Sequence, residues 1–392
     1  MSDAFLHGVD LSEIDAGARP IQSVRAAVIG LIGTAPDADE QRFPEHQPVL
    51  IAGKRTDAKG LGNTGTLPAA IEDLFAQTGA LIVMIRVPEQ ADPTAALDLT
   101  DLLGGIDHNS GQYLGIQAFL AAESEVHQVP RILIAPEFSH HSAVANALLA
   151  VAERLRAVVI ADGPNTDDAA AIDYRNQFGS ARLYLIDPWV RVLDPKTGTD
   201  IQRPASARVA GVIAKSDAER GFWWSPSNRD ILGIEGTVRS VDFALGDPNA
   251  RANRLNEAGV ATLIQKQGFR LWGNRSCSSD PKWAFLSVRR TADMIHESLL
   301  RGHLWAVDRN ITRTYLEDVL EGVNAYLRQL RTQGAIINGR AWADPERNPP
   351  DQIAQGKVAI DFDFTPPYPA ERIQFRSHLV NDYLVEVLPE TP

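Results

Sequence analysis

RILIAPEFSHHSAVANALLAVAERLRAVVIAD, residues 131–162, is the stretch that decides the fold. It opens on a β-favouring apolar run over 131–135 and closes on a second over 158–161. Between them Val144, Leu148, Val151, Ala152 and Leu155 recur at helical spacing, which predicts a helix over 142–156 with Ser142 as its N-cap. A strand, a helix with one apolar stripe and a further strand make the repeating unit of a parallel sheet covered by helices. Pro136, Pro164 and Pro188 each follow an apolar run, where proline ends a strand without removing a needed hydrogen bond.

Working outward, the same alternation predicts strands at 26–32, 49–52, 81–87 and 182–186 and helices at 67–77, 112–122 and 167–178. Beyond Asp194 the texture changes to turns and then to a second α+β segment. Its clearest helix covers 315–333, with Leu316, Val319, Leu320, Val323, Leu327 and Leu330 on one face. Thr314 and Glu317 read as a capping box, and Gly334 as a left-handed C-terminal residue. Residues 356–364 and 372–388 alternate apolar and polar as half-buried strands do, with Phe362 and Phe364 opposite Asp361 and Asp363. The expected fold is an α/β region built on a mixed or parallel sheet, followed by an α+β region.

Composition narrows the function classes. With 392 residues, 44% hydrophobic and 22% charged, the chain is globular and long enough for two or three domains. A single cysteine, Cys277, excludes a disulfide framework and a multi-thiolate metal site. A net charge of -12 argues against a direct nucleic-acid partner. No apolar run approaches the roughly 20 residues of a membrane span, and the N-terminus does not read as a signal peptide. A chain without membrane insertion, made in a reducing cytoplasm, is expected.

The candidate chemical motifs have simpler readings. Gly60-Leu61-Gly62-Asn63-Thr64-Gly65 matches the dinucleotide fingerprint, so an NADP-linked α/β oxidoreductase is the enzyme alternative. That chemistry needs the glycines directly after a strand, whereas residues 53–59 intervene, and the next strand ends in Arg86 where an acidic ribose ligand belongs. A flexible surface loop before a helix begun near Pro68 is the simpler account. Ser139-His140-His141-Ser142 lacks the Gly-x-Ser-x-Gly elbow and reads as a solvated loop and helix cap. Asp293 and His296, one turn apart with His303 beyond, read as helix-surface polar residues. Asp162, Asp167 and Asp168 read as turn and cap chemistry. No catalytic residue, cofactor site or metal site is assigned.

A resemblance then enters on longer stretches. FRLWGNRSCSSDPKWAFLSVRRTADMIHESLLRGHLWAV (269–307) resembles the signature of contractile-tail sheath proteins: a Trp-Gly-x-Arg turn, a Ser-Ser-Asp step and an Arg-Arg pair. DGPNTDDAAAIDYRNQFGSARLYLIDPWV (162–190) and GAIINGRAWADPERNPPDQIAQGKVAIDFDFTPPYPAERIQF (334–375) are similar to the sheaths of contractile phages and R-type bacteriocins. FLHGVDLSEIDAGARPI (5–21) and GFWWSPSNRDI (221–231) fit the same family, so the resemblance covers nearly the whole chain. Cys277 and the stretch 306–310 depart from the usual pattern and bear only on the subfamily.

The resemblance implies a structural protein and not an enzyme: a helical homopolymer around a tail tube that contracts to drive the tube through a cell envelope. Its partners would be further copies of itself, the tail tube protein, and baseplate and tail terminator proteins. It would reside in the virion tail or a bacteriocin particle, after assembly in the bacterial host cytoplasm. It implies an N-terminal arm (1–20), an outer α/β region (21–269), an inner tube-facing α+β domain (270–373) and a C-terminal arm (374–392), the arms adding strands to neighbouring subunits. The residues allow this. Leu6, Val9, Leu11 and Ile14 at one end, and Phe375, Leu379, Val380, Tyr383, Val385 and Val387 at the other, are apolar in extended, β-favouring stretches. Residues 270–340 hold 11 Lys and Arg against 7 Asp and Glu, a net of +4 in a chain of -12. A basic inner surface facing an acidic tube makes Arg309, Arg313, Arg328 and Arg331 the candidate tube contacts.

Overall fold

The computed structural model describes residues 21–387, apart from 91, 93, 96, 195 and 196. The chain begins with β1 (Ile29–Thr34), β2 (Pro48–Ala52), α1 (Thr66–Phe75) and β3 (Leu81–Val87). The short α2 (Thr100–Leu103), the paired β4 (Gly105–Ile106) and β5 (Tyr113–Leu114), and α3 (Ala122–Val126) follow. Next come β6 (Ile132–Ile134), α4 (Ser142–Leu155), β7 (Val158–Asp162), α5 (Asp168–Asn176) and β8 (Leu183–Ile186). The hairpin of β9 (Val190–Leu193) and β10 (Asp200–Arg203) precedes α6 (Ser206–Arg220). After β11 (Arg229–Asp230), β12 (Gly236–Thr237) and α7 (Arg251–Glu257), β13 (Val260–Gln265) and β14 (Phe269–Trp272) return to the sheet. The last part is α8 (Leu286–Gly302), α9 (Arg313–Gln333), β15 (Asn338–Trp342), α10 (Pro350–Ala354) and β16 (Asp361–Thr365).

One mixed sheet dominates, in the order β11-β14-β13-β8-β7-β6-β1-β3-β2. The strands from β13 to β3 run parallel. Antiparallel β2 closes one flank, and β14 with β11 the other. Every residue of β1 and β7 is buried, because helices cover both faces; such strands are apolar throughout and do not alternate. Ile29, Leu31, Ile132 and Ile160 pack with α1 and α6 on one face. Val28, Ile32, Leu133 and Val159 pack with α4, Tyr174 of α5 and Leu255 of α7 on the other. A third core joins Met294 and Ile295 of α8, Val323, Tyr326, Leu327 and Leu330 of α9, and Ile21 and Ala26. Position 270 lies within β14, next to the edge of the sheet.

Several expectations need correction. Residues 112–122 are not one helix: β5 is followed by a 3₁₀ helix, Gly115–Ala121, and then α3. Buried Ile116 and Phe119 are three apart, the spacing of a 3₁₀ turn, and Gly115 at φ 55° sets its start. The cap of α9 is Thr312, whose hydroxyl accepts from the Tyr315 N–H at 3.1 Å, so Thr314 lies inside the helix. Gly334 does close it at φ 79°. His141, with no side-chain bond, takes the N-cap position of α4, and Ser142 is its first residue. Residues 372–380 form no strand, and 382–387 are a 3₁₀ turn, Asp382–Val387. Of the two long helices α6 and α8, the first has no counterpart among the helices expected, and the second only the one-turn spacing of Asp293 and His296.

Candidate functional site

A doubly wound sheet places its ligands outside the carboxyl ends of its parallel strands. Here those ends are closed by side chains. Asp162, the last residue of β7, is fully buried and accepts from the Ser206 N–H at 2.8 Å and the Ser206 hydroxyl at 2.5 Å. It therefore caps α6, and it also accepts from the Ser139 hydroxyl at 3.1 Å. Burial pushes the Asp162 carboxyl up to about 6, with the bonds from Ser206 and Ser139 pulling the other way. Ser139 is thus a buried structural hydroxyl and not part of a solvated loop. Burial pushes His140 down to about 4, and its ring lies edge-on to Trp189, 5.9 Å away. Asp167 caps α5 through the Ala170 N–H at 2.8 Å, and Asp168 lies between Arg239 and Arg251 at 2.7 and 2.9 Å. The aspartates at 162, 167 and 168 are accounted for without a cation. Among the described residues no group of three or more His, Cys, Asp or Glu is placed to hold a metal ion.

The glycine-rich loop is closed as well. Thr34 at the end of β1 and Thr66 at the start of α1 each donate a backbone N–H to the other's hydroxyl, at 3.0 and 3.2 Å. The amide that would meet a pyrophosphate is already taken. A Cβ at Gly65 would stand 2.4 Å from the Thr34 carbonyl oxygen, and one at Gly62 2.5 Å from the Asp37 Cβ. Leu61, just before Gly62, is buried. The loop is packed against 34–37 rather than flexible, and it begins α1 at Thr66 rather than near Pro68. The NADP alternative gains no support from this geometry. A polar cleft of about 230 Å³ lies beside Arg203 and Arg208, both paired with Asp73 at 2.9 and 2.6 Å. That volume is below the usual range of small-molecule pockets, about 300–1,000 Å³.

The amino-terminal ends of the strands carry the other seam. Arg131 and Arg182 each stand one residue before a strand, β6 and β8, and α8 lies against them. Asp293 of α8, buried, accepts from Arg182 at 2.5 and 3.0 Å and from Arg289 at 2.7 Å. It is a core anion, contrary to the surface reading. Glu297 pairs with Arg131 at 2.8 Å and with Arg301 at 3.1 Å. Arg290 donates to Asp217 of α6 and to the Ala26 carbonyl at 3.1 Å. The Arg-Arg pair thus reaches two elements: Arg289 braces Asp293, and Arg290 ties α8 to α6. His296 points to the opposite partner, its ring edge-on to Phe362 and Phe364 of β16 at 5.9 and 6.2 Å.

The longest exposed segment among the described residues lies in the last quarter of the chain. β15 and β16 form a two-stranded antiparallel ribbon, Arg340 opposite Asp363. Phe362 and Phe364 turn toward the third core while Asp363 is exposed, as the alternation predicted. The Asn324 side chain of α9 holds both the N–H and the carbonyl of Ala341 in β15, at 2.8 and 3.1 Å. Beyond the ribbon the chain leaves the body. Residues 370–384 are all exposed, with Phe375 at 91% and Leu379 at 99%, and Val380, Tyr383 and Val387 are exposed as well. The Val385 side chain and Leu6, Val9, Leu11 and Ile14 lie outside the described residues.

The four arginines singled out as tube contacts are all exposed, on and beside α9. Arg313 pairs with Glu317 at 2.8 Å, Arg328 with Glu321 at 2.5 Å, and Arg309 lies over the Trp305 ring at 5.0 Å. Arg331 has no ion pair among the described residues.

Comparison with known proteins covers nearly the whole chain. Residues 27–87 match the N-terminal region of domain III of the tail sheath protein Gp18, 111–277 the phage tail sheath protein central domain, and 278–379 the phage tail sheath C-terminal domain. A protein described as a prophage major tail sheath protein of Pseudomonas aeruginosa (strain UCBPP-PA14) is 44% identical, over 98% of this chain and 99% of its own. The tail sheath protein of Escherichia phage P2 is 37% identical, over 99% of this chain and 98% of its own. Among solved structures, the helical sheath of the anti-feeding prophage in its contracted state has the same fold, with a TM-score of 0.72 at 22% identity, over 96% of this chain and 99% of that one.

Proposed function

The chain belongs to the phage tail sheath family, and we propose that it is the structural subunit of a contractile tail sheath. It polymerises helically with copies of itself around a tail tube and shortens to drive that tube through a target cell envelope. Baseplate and tail terminator proteins bound the polymer, which is part of a virion tail or bacteriocin particle assembled in the bacterial cytoplasm. Residues 21–269 make the outer region, 270–373 the inner domain facing the tube, and 1–20 and 374–392 the arms. The exposed face of α9, with Arg309, Arg313, Arg328 and Arg331, meets the tube.

One observation carries this reading: an exposed apolar segment follows, a few residues on, a ribbon with a free edge. A two-stranded ribbon is marginal alone, and an extended peptide adds readily to an open strand edge. The Asn324 side chain occupies the β15 edge at Ala341. Among the described residues, no group outside the ribbon hydrogen-bonds the backbone of Phe362 or Phe364. The β16 edge is therefore where a neighbour's arm adds its strand. Links of this kind keep subunits connected while the lattice changes. A metastable lattice then needs only about 1 kcal/mol per subunit, the scale of one hydrogen bond, to sum to substantial work over many copies.

Negative-stain electron microscopy of the purified protein tests the proposal. Hollow tubes or rings are expected, and deleting residues 1–17 or 375–392 should leave folded monomers. Polymers that persist after both deletions would remove the arm mechanism, and a lone compact particle at every concentration would remove the polymer.

A further inference from the structure

We infer that Arg275 is the anchor of the C-terminal arm, a positioning residue that fixes where the free arm begins; this rests on the arm-exchange reading above. β16 ends at Thr365, and Pro366-Pro367-Tyr368-Pro369-Ala370-Glu371 follows. Prolines lack the N–H that would continue the ribbon and favour a stiff, extended spacer of about 3.1 Å per residue. The spacer is held at both ends. Pro366 is buried at its start. At its far end Arg275 donates to Glu371 through two parallel bonds, Nε to Oε1 at 2.7 Å and Nη2 to Oε2 at 2.5 Å.

The guanidinium is itself positioned. It lies over the Phe285 ring at 5.2 Å, and Tyr368 meets the same ring edge-on at 6.1 Å. The Arg275 backbone forms a β-bridge with Phe285, and the flanking Ser276 N–H donates to the Ala284 carbonyl at 2.7 Å. The arginine of the Trp-Gly-x-Arg turn thus rests on the N-cap residue of α8 and grips the chain six residues past the ribbon. Beyond the grip the character of the chain changes at once. Among the described residues, no side chain or backbone group from 372 to 387 hydrogen-bonds outside that segment. Fully extended, residues 372–387 reach about 50 Å at roughly 3.3 Å each. Without the grip the stiff spacer swings as well and adds about 19 Å, so the arm no longer leaves the body at one point in one direction.

A fork-to-fork pair of half-exposed groups with an aromatic platform is modest in energy but specific in geometry. Its effect is on the arm's direction, and the body should not notice its loss.

The test uses full-length Glu371→Arg, Arg275→Glu and the double charge swap, beside the 375–392 deletion. The mobility of a spin label at Ala370→Cys reads the grip, thermal unfolding reads the body, and electron microscopy reads assembly. Each single reversal should shorten the label's correlation time severalfold and cut the yield of ordered tubes severalfold, with the body's unfolding unchanged. The double swap should restore both. Single reversals that assemble like the parent, while the deletion abolishes assembly, would overturn the anchor and leave the arm reading standing. A deletion that assembles normally would sink the arm reading and the anchor with it.

Discussion

Asp217→Ala is the sharpest test of how the C-terminal helices are held to the sheet. Asp217 and Arg290 are each 4% exposed and bond through two contacts, one of 2.8 Å. Two charges about 4 Å apart attract by about 4 kcal/mol at an effective dielectric of 20. Removing the carboxylate strands a buried guanidinium whose remaining partner among the described residues is the Ala26 carbonyl at 3.1 Å. Breaking a buried pair in this way costs about 3–5 kcal/mol. Replacing both partners with apolar groups of similar size, Asp217→Leu with Arg290→Met, leaves no stranded charge and should recover more than half of that loss. Urea unfolding followed by tryptophan fluorescence, on protein kept monomeric, measures each free energy and the coupling between the two changes. A single variant within about 1 kcal/mol of the parent, or strictly additive losses, would refute the claim that this pair ties α8 to α6.

Three further outcomes are expected. The Asp162 carboxyl, at about 6 in the fold and near 3.9 when unfolded, binds its proton more tightly folded. Its contribution is fully present below pH ~3.9 and fades as pH rises through 6, by up to about 3 kcal/mol at 1.36 kcal/mol per unit. Urea midpoints between pH 4 and 7 should therefore rise on acidification relative to Asp162→Asn, and parallel curves would contradict this. Thr312→Ala should cost about 1 kcal/mol by removing the cap of α9, whereas Thr314→Ala should cost under about 0.5; equal losses in thermal melts would restore Thr314 as the cap. Arg331→Glu should weaken co-sedimentation with tail tubes and leave self-assembly intact, and unchanged co-sedimentation would take Arg331 off the tube face.

The sequence made some elements plain and hid others for physical reasons. α9 was readable because one face is apolar and the other charged, and the strands of the parallel core because burial on both faces leaves them apolar throughout. α6 was not, since nearly all of its first two and a half turns are buried: Ser206, Ala207, Gly211 and Ala214 are small, and no polar stripe marks a surface. α8 hides for the opposite reason. Its buried face carries Arg290 and Asp293, with Glu297 beside them, which look like solvent residues until Arg131, Arg182 and Asp217 are found opposite. The alternation of 372–388 misled in a third way: over the described residues 372–387 the chain is exposed and pairs with no strand, so the alternation has no buried face to serve. Asp162 was read as turn chemistry and Ser139 as part of a solvated loop and helix cap, but Asp162 is bonded to Ser206 of α6, 44 residues on, and Ser139 to Asp162, which spacing alone does not reveal.

The seating of α8 has a mechanical consequence. Arg131, Arg182 and the Ala26 carbonyl mark the starts of β6, β8 and the approach to β1, so a pull on α8 away from the sheet is delivered end-on, along the strand axes. Hydrogen bonds in a parallel ladder lie across that direction, and they must slide as a set instead of opening one by one as in an unzipped hairpin. A sudden jerk on this subunit therefore meets its greatest resistance where the helices are tethered.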